Sequence, residues 1–212
     1  MLELTAGPVF TDTHGGITAI RDRLAWYPDD VWRYVVAVDW QRLGQLLPLL
    51  GRAASRGDDL GARVLVAGVV RIAVHLGFLL ERRWSPYPKW TGSLFAALPR
   101  AGGALPALLA ALGAPDTGGR QDHVCEALEL LHEVQRSTGL PTGPAATEPF
   151  WDRPFRTVRS SVPALLLDAV VDPRVRGLPD GVGSVEQWVD STVVLTAGGR
   201  RAAVHRAVSS PG

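Results

Sequence analysis

One cysteine, one methionine and a single lysine among 22 basic residues are the scarcities of this 212-residue sequence. A lone thiol, Cys125, cannot form a disulfide within the chain, which fits a reducing, cytoplasmic setting. Net charge is also small: 22 basic against 21 acidic residues leave +1. That balance does not support a broad nucleic-acid footprint, so any basic site must be local. The opening "MLELTAGPVF" lacks the basic stretch and apolar run of a secretory signal. The longest apolar stretch, "LGARVLVAGVVRIAVHLGFLL", carries Arg63, Arg71 and His75. Arginines inside a bilayer are costly, so this stretch reads as a buried helix and no membrane partner is expected. The sequence contains no P-loop, dinucleotide fingerprint or nucleophile elbow.

Hydrophobic residues make up 46% and charged residues 20%, enough to build one ordinary domain with a full core. No segment alternates with period two and no repeat is visible. The expected class is all-α: a single-domain bundle of about six to eight helices over residues 1–212, with a long loop at 139–160 and a disordered tail at 205–212. Ile17, Ile20, Arg21 and Leu24 suggest a short first helix. Pro28 followed by Asp29 and Asp30 opens a second, from about 29 to about 54, bent near Pro48. Asp58 and Asp59 open a third, expected to be central, which should end near Arg83 before "SPYP". Short helices are expected between Gly92 and Leu112, then one near 120–137 closed by Gly139, and another from Ser161 to Val170. Ser184 with Gln187 three residues on forms a capping box for a last helix to about Ala197.

At 100° per residue, Trp32, Val35, Val36, Leu43, Leu46 and Leu50 share one face of the second helix, and Asp39 falls inside it. A carboxylate there must be paired, hydrated or turned to a cavity. On the third helix, Arg71, His75 and Arg82 lie within about 40° of one another. They form a basic ridge running toward "SPYPKW", where Pro86 and Pro88 stiffen the approach to Lys89 and Tyr87 and Trp90 flank it. The ridge and Lys89 together suit an anion such as phosphate, through planar guanidinium forks and one compact ammonium. The plainer expectation is an Asp39–Arg71 pair inside the core and a solvated Lys89. Asp39 and His75 are the candidate proton-transfer residues. No metal is expected: His123 and His132, nine positions apart, face opposite sides of their helix. Cys125 joins the Val124, Leu128 and Leu131 stripe as packing.

Several stretches together carry a resemblance: "FTDTHGGITAIRDRLAWYPDDVWRYVVAVDWQRLGQ", "GDDLGAR", "FLLERRWSPYPKWTGSLF", "FWDRPF" and "GVGSVEQWVDSTVVL". They resemble the C-terminal helical part of an actinobacterial family of unknown function whose longer members begin with a polymerase-β-like nucleotidyltransferase domain. The resemblance runs from about Leu2 to Leu195 and is weakest around 100–145. It implies that Arg82, Tyr87 and Lys89 contact a triphosphate or substrate, and that Asp39, Arg71 and Arg153 line the same cleft. The sheet domain is absent. Gly183-Ser184 reaches Asp190, but Thr192 stands where a second carboxylate is needed, and Gly92-Ser93 has no aspartate for more than twenty residues. Two-metal phosphoryl transfer requires such a pair. Leu46, Leu47 and Val193 also replace acids usual in the family.

These readings imply a stand-alone binding domain for a small anionic ligand, without independent nucleotidyltransferase activity. It needs no cofactor of its own; a nucleoside triphosphate with Mg²⁺ would arrive together with a nucleotidyltransferase domain partner, and a homo-oligomer is the other assembly. The alternative is a repurposed cyclase or transferase of secondary metabolism, with an apolar aromatic pocket around Asp39.

Overall fold

The computed structural model describes residues 1–209. It is mostly helical, with two short strands. Helix α1 spans Leu2–Thr5, α2 Gly16–Arg23, α3 Asp29–Ala54 and α4 Asp59–Leu80. Then come α5 (Thr91–Ala96), α6 (Leu105–Gly113) and α7 (Thr117–Ser137). Strands β1 (Thr147–Pro149) and β2 (Arg156–Val158) pair antiparallel, Thr147 opposite Val158. Helices α8 (Ser161–Asp168), α9 (Pro173–Arg176), α10 (Thr192–Leu195) and α11 (Gly198–Ser209) complete the chain.

Local chemistry sets the helix starts. Asp29 and Asp30 occupy the first turn of α3, where carboxylates favour the helix dipole. The Asp58 carboxylate accepts from Gly61 N–H at 2.7 Å, and Asp116 accepts from Gly119 N–H at 2.9 Å, capping α4 and α7. Arg120 is fully buried and bridges these two starts: it donates to Asp59 Oδ1 at 2.8 Å and to the Ala114 and Pro115 carbonyls.

Helices α3 and α4 run antiparallel. Trp32 Nε1 donates to the Leu79 carbonyl at 2.7 Å, Asp39 meets His75, and Leu46 reaches Gly68. The most enclosed element is α3, not α4. It is packed by α4, α7, α8 and β2, and Trp32 through Trp40 are buried apart from partly exposed Arg33. Helix α4 buries the Ala62, Val66, Val69, Ala73 and Leu76 face and leaves Leu60 and Val64 exposed. By length and composition α4 could cross a membrane; here that face packs against α3 and α7. It ends at Leu80, short of Arg83.

Pro48 lies inside α3 without ending it. A proline there has no N–H for the carbonyl four residues back, that of Gly44. Thr157 Oγ1 of β2 donates to that carbonyl at 3.4 Å. The 139–160 stretch expected as loop therefore contains a hairpin, whose strands are too short for a period-two pattern. Val158, at the end of β2, is buried.

The single last helix expected after Ser184 is broken. The capping box forms, but it opens only a 3₁₀ turn, Val185–Gln187. The Gln187 amide turns into the core, and α10 and α11 follow separately. Helix α11 spans Gly198–Ser209 and so overlaps the stretch from 205 expected as a tail; residues 210–212 lie outside the described residues.

Candidate functional site

Asp39 is the most enclosed carboxylate, with no side-chain exposure. Three donors meet it. His75 Nδ1 lies 2.6 Å from Oδ2, Gln187 Nε2 donates to Oδ1 at 2.8 Å, and Arg42 reaches Oδ1 at 3.3 Å. Gln187 is itself buried and donates a second bond to the Val35 carbonyl at 2.9 Å. Its carbonyl accepts from Ser184 N–H at 2.9 Å. One amide thus completes a cap on its own turn and satisfies a core carboxylate. Glu186 beside it accepts from Tyr27 Oη at 2.7 Å.

The electrostatics follow from this enclosure. Burial by itself would depress the His75 imidazolium, but the charge and hydrogen bond of Asp39 outweigh it, and Glu186 adds to them, so its pKa is raised. Arg42 is pulled below its ordinary value, chiefly by burial. Tyr27 is pushed up, first by burial and then by Glu186.

The expected Asp39–Arg71 pair does not form. Arg71 is more than half exposed and reaches Asp190 Oδ2 at 3.8 Å. Arg82 adopts a left-handed backbone (φ 52°) just past the end of α4. Its guanidinium pairs with Asp29 at 2.7 Å and lies 4.0 Å over the Trp32 ring. The ridge of Arg71, His75 and Arg82 is therefore dispersed, each member facing a different carboxylate. Arg153 sits in the turn between β1 and β2, 3.7 Å from Asp152. It shares no contact with the others.

Tyr87, Lys89 and Trp90 do come together. They line a groove of about 600 Å³ whose other walls are Leu2 and Ala6 of the α1 region, Pro86, and Leu94 of α5. Tyr87 and Trp90 are about half exposed, and Lys89 Nζ lies 5.3 Å from the Trp90 ring centroid. No carboxylate pairs with Lys89 among the described residues.

Residues 1–91 match the family described as Domain of unknown function (DUF4037). That span holds Asp39, Arg42, His75 and the groove residues up to Trp90; Gln187 and Glu186 lie outside it. No curated protein and no solved structure matches the chain. Among the described residues, no group of three or more His, Cys, Asp or Glu could hold a metal ion.

Sequence reasoning missed Gln187, Glu186, Tyr27 and Arg42. Arg42 had a signal, its i+3 spacing from Asp39. Gln187 had none, since its pattern is fully explained as a cap and its partner is 148 residues away.

Proposed function

We propose that this chain is a ligand-binding helical domain, the helical half of a nucleotidyltransferase-like system, with no nucleotidyl transfer of its own. The observation that carries this reading is the Tyr87–Lys89–Trp90 groove. It offers an ammonium without a carboxylate partner, two half-exposed rings and an apolar wall from Leu2, Ala6 and Leu94. Such a lining suits a small molecule with an anionic group and a flat apolar part. A nucleoside triphosphate fits that description, with Mg²⁺ brought by a partner domain. Arg71, Arg82 and Arg153 each already face an aspartate, so Lys89 is assigned the leading contact.

Calorimetric titration with ATP, GTP, CTP and UTP plus Mg²⁺ tests the reading, with Lys89→Ala in parallel. A hydrogen bond to a charged group contributes about 1.5–3 kcal/mol, so the variant should bind roughly tenfold or more weakly. Absence of binding to the unaltered chain, or equal binding by both proteins, removes the reading. The alternative of a repurposed cyclase or transferase built on Asp39 has weaker support, because both carboxylate oxygens already hold donors.

A further inference from the structure

From Met1 to Val31 no described side chain is buried, and the core begins at Trp32. Residues 1–24 form an arm on the outside of the bundle. Its internal ties are polar. Arg21 donates to the Thr5 and Gly7 carbonyls at 2.5 and 2.6 Å, and Asp12 Oδ2 accepts from Thr18 N–H at 2.7 Å. Trp84 Nε1 holds the end of the arm through the Leu24 carbonyl at 3.1 Å. The apolar side chains of the arm largely face water: Phe10 is 92% exposed, Ile17 and Ile20 51% each, and Leu4 and Val9 are exposed as well. None of these five packs against the core. Helix α2 is the element this leaves unsupported. It has eight residues and buries none of them. A helix that short is marginal in water and depends on tertiary packing of an apolar face. Ile17 and Ile20, three apart, share such a face. Gly16 lies one turn before Ile20, with open space where a Cβ would stand, so a second helix can come close there.

We propose that this arm joins two copies of the chain in a two-fold dimer, α2 packing antiparallel on α2 of the second copy through Ile17 and Ile20, with Phe10 closing the flank. Area, charge and pairing each favour a second copy. A standard interface takes about 800 Å² from each partner, slightly more than half of it apolar. Leu4, Val9, Phe10, Ile17 and Ile20 leave on the order of 500 Å² of apolar surface uncovered, which matches that need. Between Asp12 and Arg23 the formal charges cancel, Asp12 and Asp22 against Arg21 and Arg23, and the whole chain carries only +1. Two such arms therefore do not repel. Asp12 sits at the start of α2 and Arg23 in its last turn, where Arg23 has no partner among the described residues. An antiparallel pair places each Asp12 opposite Arg23 of the other copy, twice by symmetry, and opposes the two helix dipoles favourably. The arm also lies inside the span matched to the family, residues 1–91. Because association supplies the packing that α2 lacks, dimer formation and α2 stability are linked.

The experiment is sedimentation equilibrium of the full chain across a wide concentration range, with hydrogen–deuterium exchange on the same samples. A reversible monomer–dimer equilibrium is expected, and protection of α2 should rise with the dimer fraction while α3 and α4 stay constant. Ile20→Asp enters a two-fold interface twice and should weaken the dimer by about a hundredfold or more. It should leave exchange in α3 and α4 unchanged, since Ile20 does not pack against the core. Arg23→Glu sets like charges opposite each other and should weaken the dimer roughly tenfold. Adding Asp12→Asn, which keeps an acceptor for Thr18 N–H, should recover part of that loss. Phe10, Ile17 and Ile20 do not line the Tyr87–Lys89–Trp90 groove, so the dimer and nucleotide binding can each fail without the other. A monomer at every concentration overturns the proposal, as does a dimer indifferent to Ile20→Asp, which would be held by another surface. A dimer weakened by Arg23→Glu without recovery by Asp12→Asn overturns the antiparallel pairing. An arm protected only when a different protein is added assigns the surface to that protein and overturns the second copy.

Discussion

Replacing Asp39 with alanine should be among the most damaging single substitutions in this protein, and its cost should depend on pH. The carboxylate is fully enclosed and accepts from His75, Gln187 and Arg42. Its removal leaves the buried Gln187 amide with the Val35 carbonyl alone and leaves His75 Nδ1 with nothing. Breaking a buried ion pair by deleting one partner costs about 3–5 kcal/mol. Arg42 adds little, since its contact is long and its side chain reaches solvent. Against a typical total stability of about 5–15 kcal/mol, this is a large fraction. At roughly 2–4 °C per kcal/mol for a domain of this size, the midpoint should drop by about 6–20 °C. His75 sets the pH dependence. Its pKa is raised on folding, so the stabilisation is fully present below about 6.5, the unfolded value, and is lost as pH rises through the folded value. Urea unfolding of both proteins at pH 6 and pH 9 should therefore give the larger difference at pH 6. A cost below about 1 kcal/mol at pH 6, or a cost that grows with pH, would refute the assignment of Asp39 as the carboxylate that holds His75.

Two further substitutions test other parts of the fold. Thr157→Val removes the hydroxyl that serves the Gly44 carbonyl; at 3.4 Å the bond is weak, so we expect a loss of about 1 kcal/mol by chemical denaturation. The loss should shrink when Pro48→Ala supplies the missing N–H, and a strictly additive double mutant would contradict the link. His132 is buried against Trp40, with neither ring nitrogen hydrogen-bonded and its pKa lowered, chiefly by burial. Folding disfavours its protonation, so wild-type stability should decline as pH falls below about 6.5. His132→Phe should gain about 1–3 kcal/mol and flatten that decline in thermal melts; a less stable variant would mean the nitrogens have partners.

Helices α3 and α4 were legible because their signals are local: Pro28 with two acids, Asp58 as a cap, and prolines after the end. The burial of Asp39 was legible too, from its place on an apolar face. Its partner was not. Arg71 and His75 are one turn apart on the same face, and the choice between them turns on side-chain length. The long guanidinium of Arg71 extends outward to Asp190, while the short imidazole remains against α3. The last helix failed for a different reason. Its capping box is present, but the amide that should have served only the cap also serves a carboxylate 148 residues earlier, and that pull ends the turn. The hairpin escaped notice because three-residue strands cannot display an alternation. Grouping Tyr87, Lys89 and Trp90 needed only their adjacency; the walls from Leu2, Ala6 and Leu94 are tertiary.

The distance between Asp39 and Gln187 also has a temporal meaning. A ribosome adding about 5–20 residues per second needs roughly 7–30 s to travel the 148 positions that separate them. Helices α3 and α4 are made early and can associate within that interval, long before the amide that completes their polar centre exists. During synthesis, then, the nascent hairpin carries a hydrated carboxylate at its middle. Water is expelled from it only when the Gln187 amide arrives, so a residue made much later finishes drying a hairpin already built.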